Sequence, residues 1–214
     1  MTITPGPALS QMPTPSADTI VSMAIPRESD RFHAETLPEW RAWLAVNHLS
    51  SKGIWLVSWK AGTGRPRIGY EPSVEEALAF GWVDSKGQSL DDERTMLWFT
   101  PRKANSPWSL TNKERIARLE ASGRIADAGR GAVRAAKANG MWTILDDAQN
   151  LVVPDDLASA LADLPGAQEN WDGFTASARR SVLEWIVLAR RPETRQKRIA
   201  ETARSAAQGQ VANQ

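Results

Sequence analysis

Two short runs bracket a capped helix and leave the middle of this chain few ways to fold. Ile54–Lys60 reads I-W-L-V-S-W-K, and Arg94–Pro101 contains T-M-L-W-F-T. Both alternate and are rich in β-branched and aromatic residues, the pattern of strands with one buried face. In the first run Trp55, Val57 and Trp59 share one face, and Ile54, Leu56, Ser58 and Lys60 share the other. Between the runs, Ser73 suits the N-cap of a helix over Val74–Phe80, with Glu76 as its capping-box partner and Gly81 as the stop. Gly62-Thr63-Gly64 turns the chain, Arg65–Tyr70 is expected to return as a short strand, and Ser85–Glu93 reads as a turn or loop. Residues 53–101 thus predict a small antiparallel sheet crossed by one helix.

The flanks read differently. Leu37–His48 is a helix, with Pro38 in its first turn and Trp40, Trp43, Leu44 and Val46 at near-helical spacing. After Pro101 the pattern is helical throughout, over 112–122, 127–139, 157–163, 165–171, 178–190 and from Pro192 to about Ala207. The expected class is α+β: a disordered tail over 1–25, a small α+β module over 26–105, a helical module over 106–207 packed on it, and a frayed end over 208–214. Asp146–Val153 is the best boundary within the helical half.

Composition excludes several chemistries. No cysteine is present, so disulfides, thiol catalysis and thiolate metal sites are ruled out. The two histidines, His33 and His48, have no companion at ligand spacing, so no metal and no cofactor is expected. No long apolar run exists and the first residues do not read as a signal peptide, so membrane association is not expected and the location is read as cytoplasmic. The net charge of +1 names no partner, but it is unevenly spread. Residues 101–140 carry nine Lys/Arg and three Asp/Glu, 141–174 carry seven Asp/Glu and no Lys/Arg, and 175–214 carry eight Lys/Arg and three Asp/Glu. Helices attracting one another explain this best. Nucleic-acid binding through the basic helices is disfavoured, because no phosphate loop or RNA-reading motif accompanies them.

Candidate site residues concentrate between Trp59 and Asn112. Asp84 follows a helix stop and Trp82, where desolvation would raise its pKa towards that of a general acid or base. Tyr70, the only tyrosine, could donate a hydrogen bond beside it. Trp59, Trp82, Trp98 and Trp108 supply flat walls, and Lys60 ends the first strand. Arg102, Ser109 and Asn112 are placed to form an anion-binding corner at a helix N-terminus, with an Arg102–Asp84 pair as the structural alternative. No G-x-S-x-G or Ser-His-Asp order is present, which disfavours a nucleophilic serine.

Four blocks carry a family resemblance: S-K-G-I-W-L-V-S-W-K, Y-E-P-S-V-E-E-A-L-A-F-G-W-V-D, F-T-P-R-K-A-N-S-P-W-S-L-T-N and R-R-P-E-T-R-Q-K-R-I. Over about residues 30–205 the chain resembles the bacteriocin-protection, YdeI/OmpD-associated family. It departs where that family usually has Cys before F-G-W, here Ala79, and Gly after the Asp, here Ser85. The resemblance implies a stress- or antimicrobial-resistance protein. The expected activity is binding of a flat, anionic or aromatic small molecule in a Trp-lined pocket. A cofactor-independent enzyme using Asp84 is the alternative, and the oligomeric state is left open.

Overall fold

The computed structural model of the protein describes residues 26–213. The expected tail over 1–25 lies outside them. Helix α1 (Leu37–Asn47) begins at a capping box: the Thr36 hydroxyl accepts from the Glu39 N–H, and the Glu39 carboxylate accepts from the Thr36 N–H. Strands β2 (Ile54–Trp59) and β4 (Arg94–Pro101) pair antiparallel along their length. Helix α2 (Tyr70–Ala79) and strand β3 (Trp82–Ser89) lie between them in the chain. A further strand, β1 (Arg31–His33), completes a four-stranded sheet in the order β1-β2-β4-β3.

Three departures from the sequence reading follow from local chemistry. The sheet is antiparallel except at its edge, where β1 runs parallel to β2. A three-residue strand shows no alternation to read, and α1 supplies the crossover that a parallel pair needs. Ser85–Ser89 is strand, not loop, because backbone pairing to β4 holds this polar sequence at the sheet edge. Arg65–Tyr70 forms no strand: α2 starts at Tyr70, behind Gly69, with Pro72 in its first turn. Ser73 is therefore inside the helix, its hydroxyl donating back to the Tyr70 carbonyl at 2.7 Å. Glu76 is not a cap partner but a fully buried carboxylate held by Arg41 and Arg124. Gly81, at φ +73°, stops the helix as expected.

The helices after the sheet are α3 (Leu110–Ala121), α4 (Asp127–Ala138), α5 (Asp146–Gln149), α6 (Asp155–Ala162), α7 (Ala167–Gly173), α8 (Ala176–Val187) and α9 (Pro192–Ala207). The apolar residues form two main clusters. The first joins one face of the sheet (Ile54, Leu56, Phe99) to α1, α2, α3 and α4 through Trp40, Leu78, Trp82, Trp108, Leu119 and Val133. Its reach through α3 and α4 carries it well past residue 105. The second gathers α5–α9 around Leu157, Leu161, Trp171, Leu183 and Ile199. Val211 and Ala212, within the span 208–214, pack into it. Trp55, Val57 and Met96 make a small separate cluster on the other face of the sheet.

Charge pairing accounts for much of the uneven distribution. Arg115 and Arg118 of α3 clamp Glu71 and Glu75 of α2. The acidic stretch meets the basic ones at Lys113–Asp146 and Arg195–Asp156.

Candidate functional site

The face of the sheet that carries the first cluster is covered by α1 and α2 over only part of its length. Beyond the first turn of α2 it opens into a cleft of about 480 Å³. Register decides what faces it. Leu56 lies opposite Leu97 and Ser58 opposite Thr95, so all four share that face. On β3, Asp84 faces Phe99 and Gly87 faces Leu97, so Ser85 and Lys86 together oppose Trp98 alone. This bulge puts Gly87, not Lys86, on the cleft face. The Lys86 ammonium lies on the other side of the sheet, 5.4 Å from the centroid of the Trp55 ring.

Tyr70 and Asp84 meet at this cleft. The Tyr70 hydroxyl donates to Asp84 Oδ2 at 2.9 Å. Burial first, and then the hydrogen bond and charge of Asp84, push the Tyr70 phenol above its usual value, so it stays a neutral donor well beyond neutral pH. Trp59 is also in the lining. Its indole N–H donates to Glu35 at 2.9 Å, and the Arg65 guanidinium lies 4.2 Å from its ring centroid.

The other sequence candidates do not converge here. Trp82 and Trp108 are 1% exposed and belong to the first core. The Trp82 indole donates to the His48 carbonyl and packs edge-on against Trp43. Neither lines this cleft; burial of that size serves the core. Trp98 packs on Trp55 and lines a different cavity, of about 640 Å³, with Arg27, Arg31 and Trp43. Lys60 donates to the Asp91 carbonyl at 2.7 Å.

Arg102 lies 3.9 Å from the centroid of Trp108 and donates to the Pro107 carbonyl. Burial lowers its pKa to about 10. It makes no ion pair among the described residues, so the alternative pairing with Asp84 is not formed. Ser109 caps α3 by accepting the Asn112 N–H at 3.3 Å, and the Asn112 side chain accepts from Arg115 at 2.7 Å. Ser109 and Asn112 are thus committed to the helix start, and Arg102 faces a separate small cavity against α4. The three do not assemble an anion corner.

Sequence reasoning missed Ser58, Ser73, Gly87, Thr95 and Arg67 in the lining. The shared face of Leu56 and Ser58 was readable from alternation. The β3 contribution was not, because a bulge leaves no mark in S-K-G-Q-S. Among the described residues no group of three or more His, Asp or Glu is placed to hold a metal ion, and no helix is long and apolar enough to cross a membrane.

Comparison with known families divides the chain. Residues 150–209 match the family described as bacteriocin-protection, YdeI or OmpD-associated. Residues 32–132 match a domain of unknown function, DUF8412. Three of the four resemblance blocks lie within 32–132, so the family match is narrower than the resemblance. No curated protein and no solved structure matches the chain.

Proposed function

From the premise that the chain carries the YdeI/OmpD-associated domain over its C-terminal helices, we propose that it is a small-molecule-binding protein whose binding site is the Tyr70–Asp84 cleft of the N-terminal half. The observation that carries this reading is the 2.9 Å Tyr70–Asp84 hydrogen bond at a cleft of about 480 Å³, a size that suits a small ligand. The pocket is walled by one tryptophan, Trp59, and by strand residues, not by a ring of indoles. The family description supports a role in protection against antimicrobial stress. A cytoplasmic setting is compatible with a chain that needs no disulfide to fold.

The test is a thermal-shift and calorimetric screen of metabolites and antibiotics against the full chain and against Gly87→Phe. A Cβ at Gly87 would meet only ordinary contacts, with Met96 and Leu97, and Gly87 lines the cleft, so a phenylalanine there is expected to occupy it. Ligands that stabilise the native protein but not Gly87→Phe support the reading, and ligands indifferent to Gly87→Phe refute it. Trp82→Ala would probe the core instead.

A second reading, a cofactor-independent enzyme, is favoured by the same pair: Asp84 accepts a proton while Tyr70, held protonated, stabilises developing charge. It predicts a new product mass from a bound ligand, abolished by Asp84→Asn with binding retained.

A further inference from the structure

Four of the five hydroxyls that line the cleft have already committed their proton; Ser85, exposed in the lining, is the fifth. The Ser58 hydroxyl donates to the Ile68 carbonyl at 3.3 Å, Ser73 to the Tyr70 carbonyl at 2.7 Å, and Thr95 to the Gln88 carbonyl at 3.1 Å. A carbonyl has no proton to give, so each hydroxyl must be the donor and has only lone pairs left for a visitor. The Tyr70 hydroxyl is in the same position, because its proton goes to Asp84 Oδ2. Asp84 Oδ1 makes no hydrogen bond within the described chain. The bulge has carried Lys86 to the far side of the sheet. Arg115, whose charge acts on Tyr70, is engaged by Glu71 and Asn112. Arg67 is the one cation in the lining, and it is exposed.

We propose that the cleft selects a ligand with a positively charged hydrogen-bond donor, a primary amine or amidinium, seated against Asp84 and surrounded by the oxygens of Tyr70, Ser58, Ser73 and Thr95. The proposal rests on reading the cleft as the binding site, and it reverses the charge expected from the sequence. An anion seated beside Asp84 would meet a carboxylate and oxygens whose protons are committed, leaving only Arg67 and Ser85 of the lining to donate to it. An ammonium finds acceptors on several sides, and Trp59 offers an aromatic wall to whatever the amine is attached to.

Three probes of one shape decide it: tryptamine, tryptophol and indole-3-acetate, titrated calorimetrically at pH 7 against the full chain. Tryptamine is expected to bind best. Asp84→Asn should weaken tryptamine about tenfold or more while leaving tryptophol nearly unchanged, because a hydrogen bond to a charged group is worth more than a neutral one. Gly87→Phe should abolish binding of all three, with Thr95→Phe as a second block and circular dichroism reporting the fold of each variant. Indole-3-acetate binding best, and being lost in Gly87→Phe, would keep the cleft as the site but overturn the charge class. Binding of none, or binding untouched by both blocking variants, would overturn the cleft itself.

Discussion

At Glu76 a carboxylate with no solvent exposure sits between the guanidinium groups of Arg41 and Arg124, each about two-fifths exposed. Its sequence position suggested a cap, because Ser73 and Glu76 have capping-box spacing; Gly69 and Pro72 start the helix earlier and turn Glu76 inward. Replacing both arginines by methionine leaves the charge buried and unpaired. We expect Arg41→Met with Arg124→Met to cost about 3–5 kcal/mol, and added Glu76→Leu to restore most of it, as denaturant melts would show. Tyr70→Phe and Asp84→Asn should behave differently. Tyr70 is 57% exposed, so losing its hydrogen bond should cost no more than about 1 kcal/mol, and both variants should stay folded for binding assays.

Between elements, α4 comes close to the end of α2 at Gly129. A Cβ on Gly129 would collide with the Ala79 carbonyl, while the Ala126 N–H just before α4 donates to that same carbonyl at 3.0 Å. One backbone group thus closes α2 and seats α4, and there is no flexible side chain to give way. Gly129→Ala should destabilise by about 1–3 kcal/mol despite alanine's better helix propensity, measurable as a lowered Tm. Thr36→Ala should cost about 1 kcal/mol through the α1 cap alone. The helices α3 and α4 were legible from their periodicity and stops; Ser109 caps α3, whereas Asp127 is the first residue of α4 and Ala126 before it gives no side-chain cap. Their attachment to the sheet was not, because Gly129 reads in sequence only as a weak helix residue.

Across the whole molecule, each main cluster is buttressed by an ion pair that acid will open. Glu71 of α2 is held below its ordinary carboxyl value of 4.5, first by its hydrogen bond to Arg115. Asp156 of α6 is held below 3.8, first by its hydrogen bond to Arg195 of α9. With the folded value depressed, each contribution is fully present above the ordinary value and is lost as pH falls through the folded one. Stability should therefore fall progressively below about pH 4.5, as urea melts at stepped pH would show. Glu71→Gln and Asp156→Asn should each flatten part of that slope. Both groups are substantially exposed, so salt should weaken the effect.

The sequence by itself determined the strands Ile54–Trp59 and Arg94–Pro101, the α+β class and the span of the last helix, because these rest on local alternation, proline positions and caps. Local chemistry also brought Tyr70 and Asp84 forward as candidates. That they touch, and that Trp82 and Trp108 do not join them, was decided by tertiary structure. An indole is equally suited to a pocket wall and to a core, and only packing chooses between them. The bulge that turns Lys86 away from the cleft and Gly87 into it depends on a pairing with β4 that no run of β3 residues encodes alone. Which β3 residues line the candidate cleft beside Asp84 depends on that pairing.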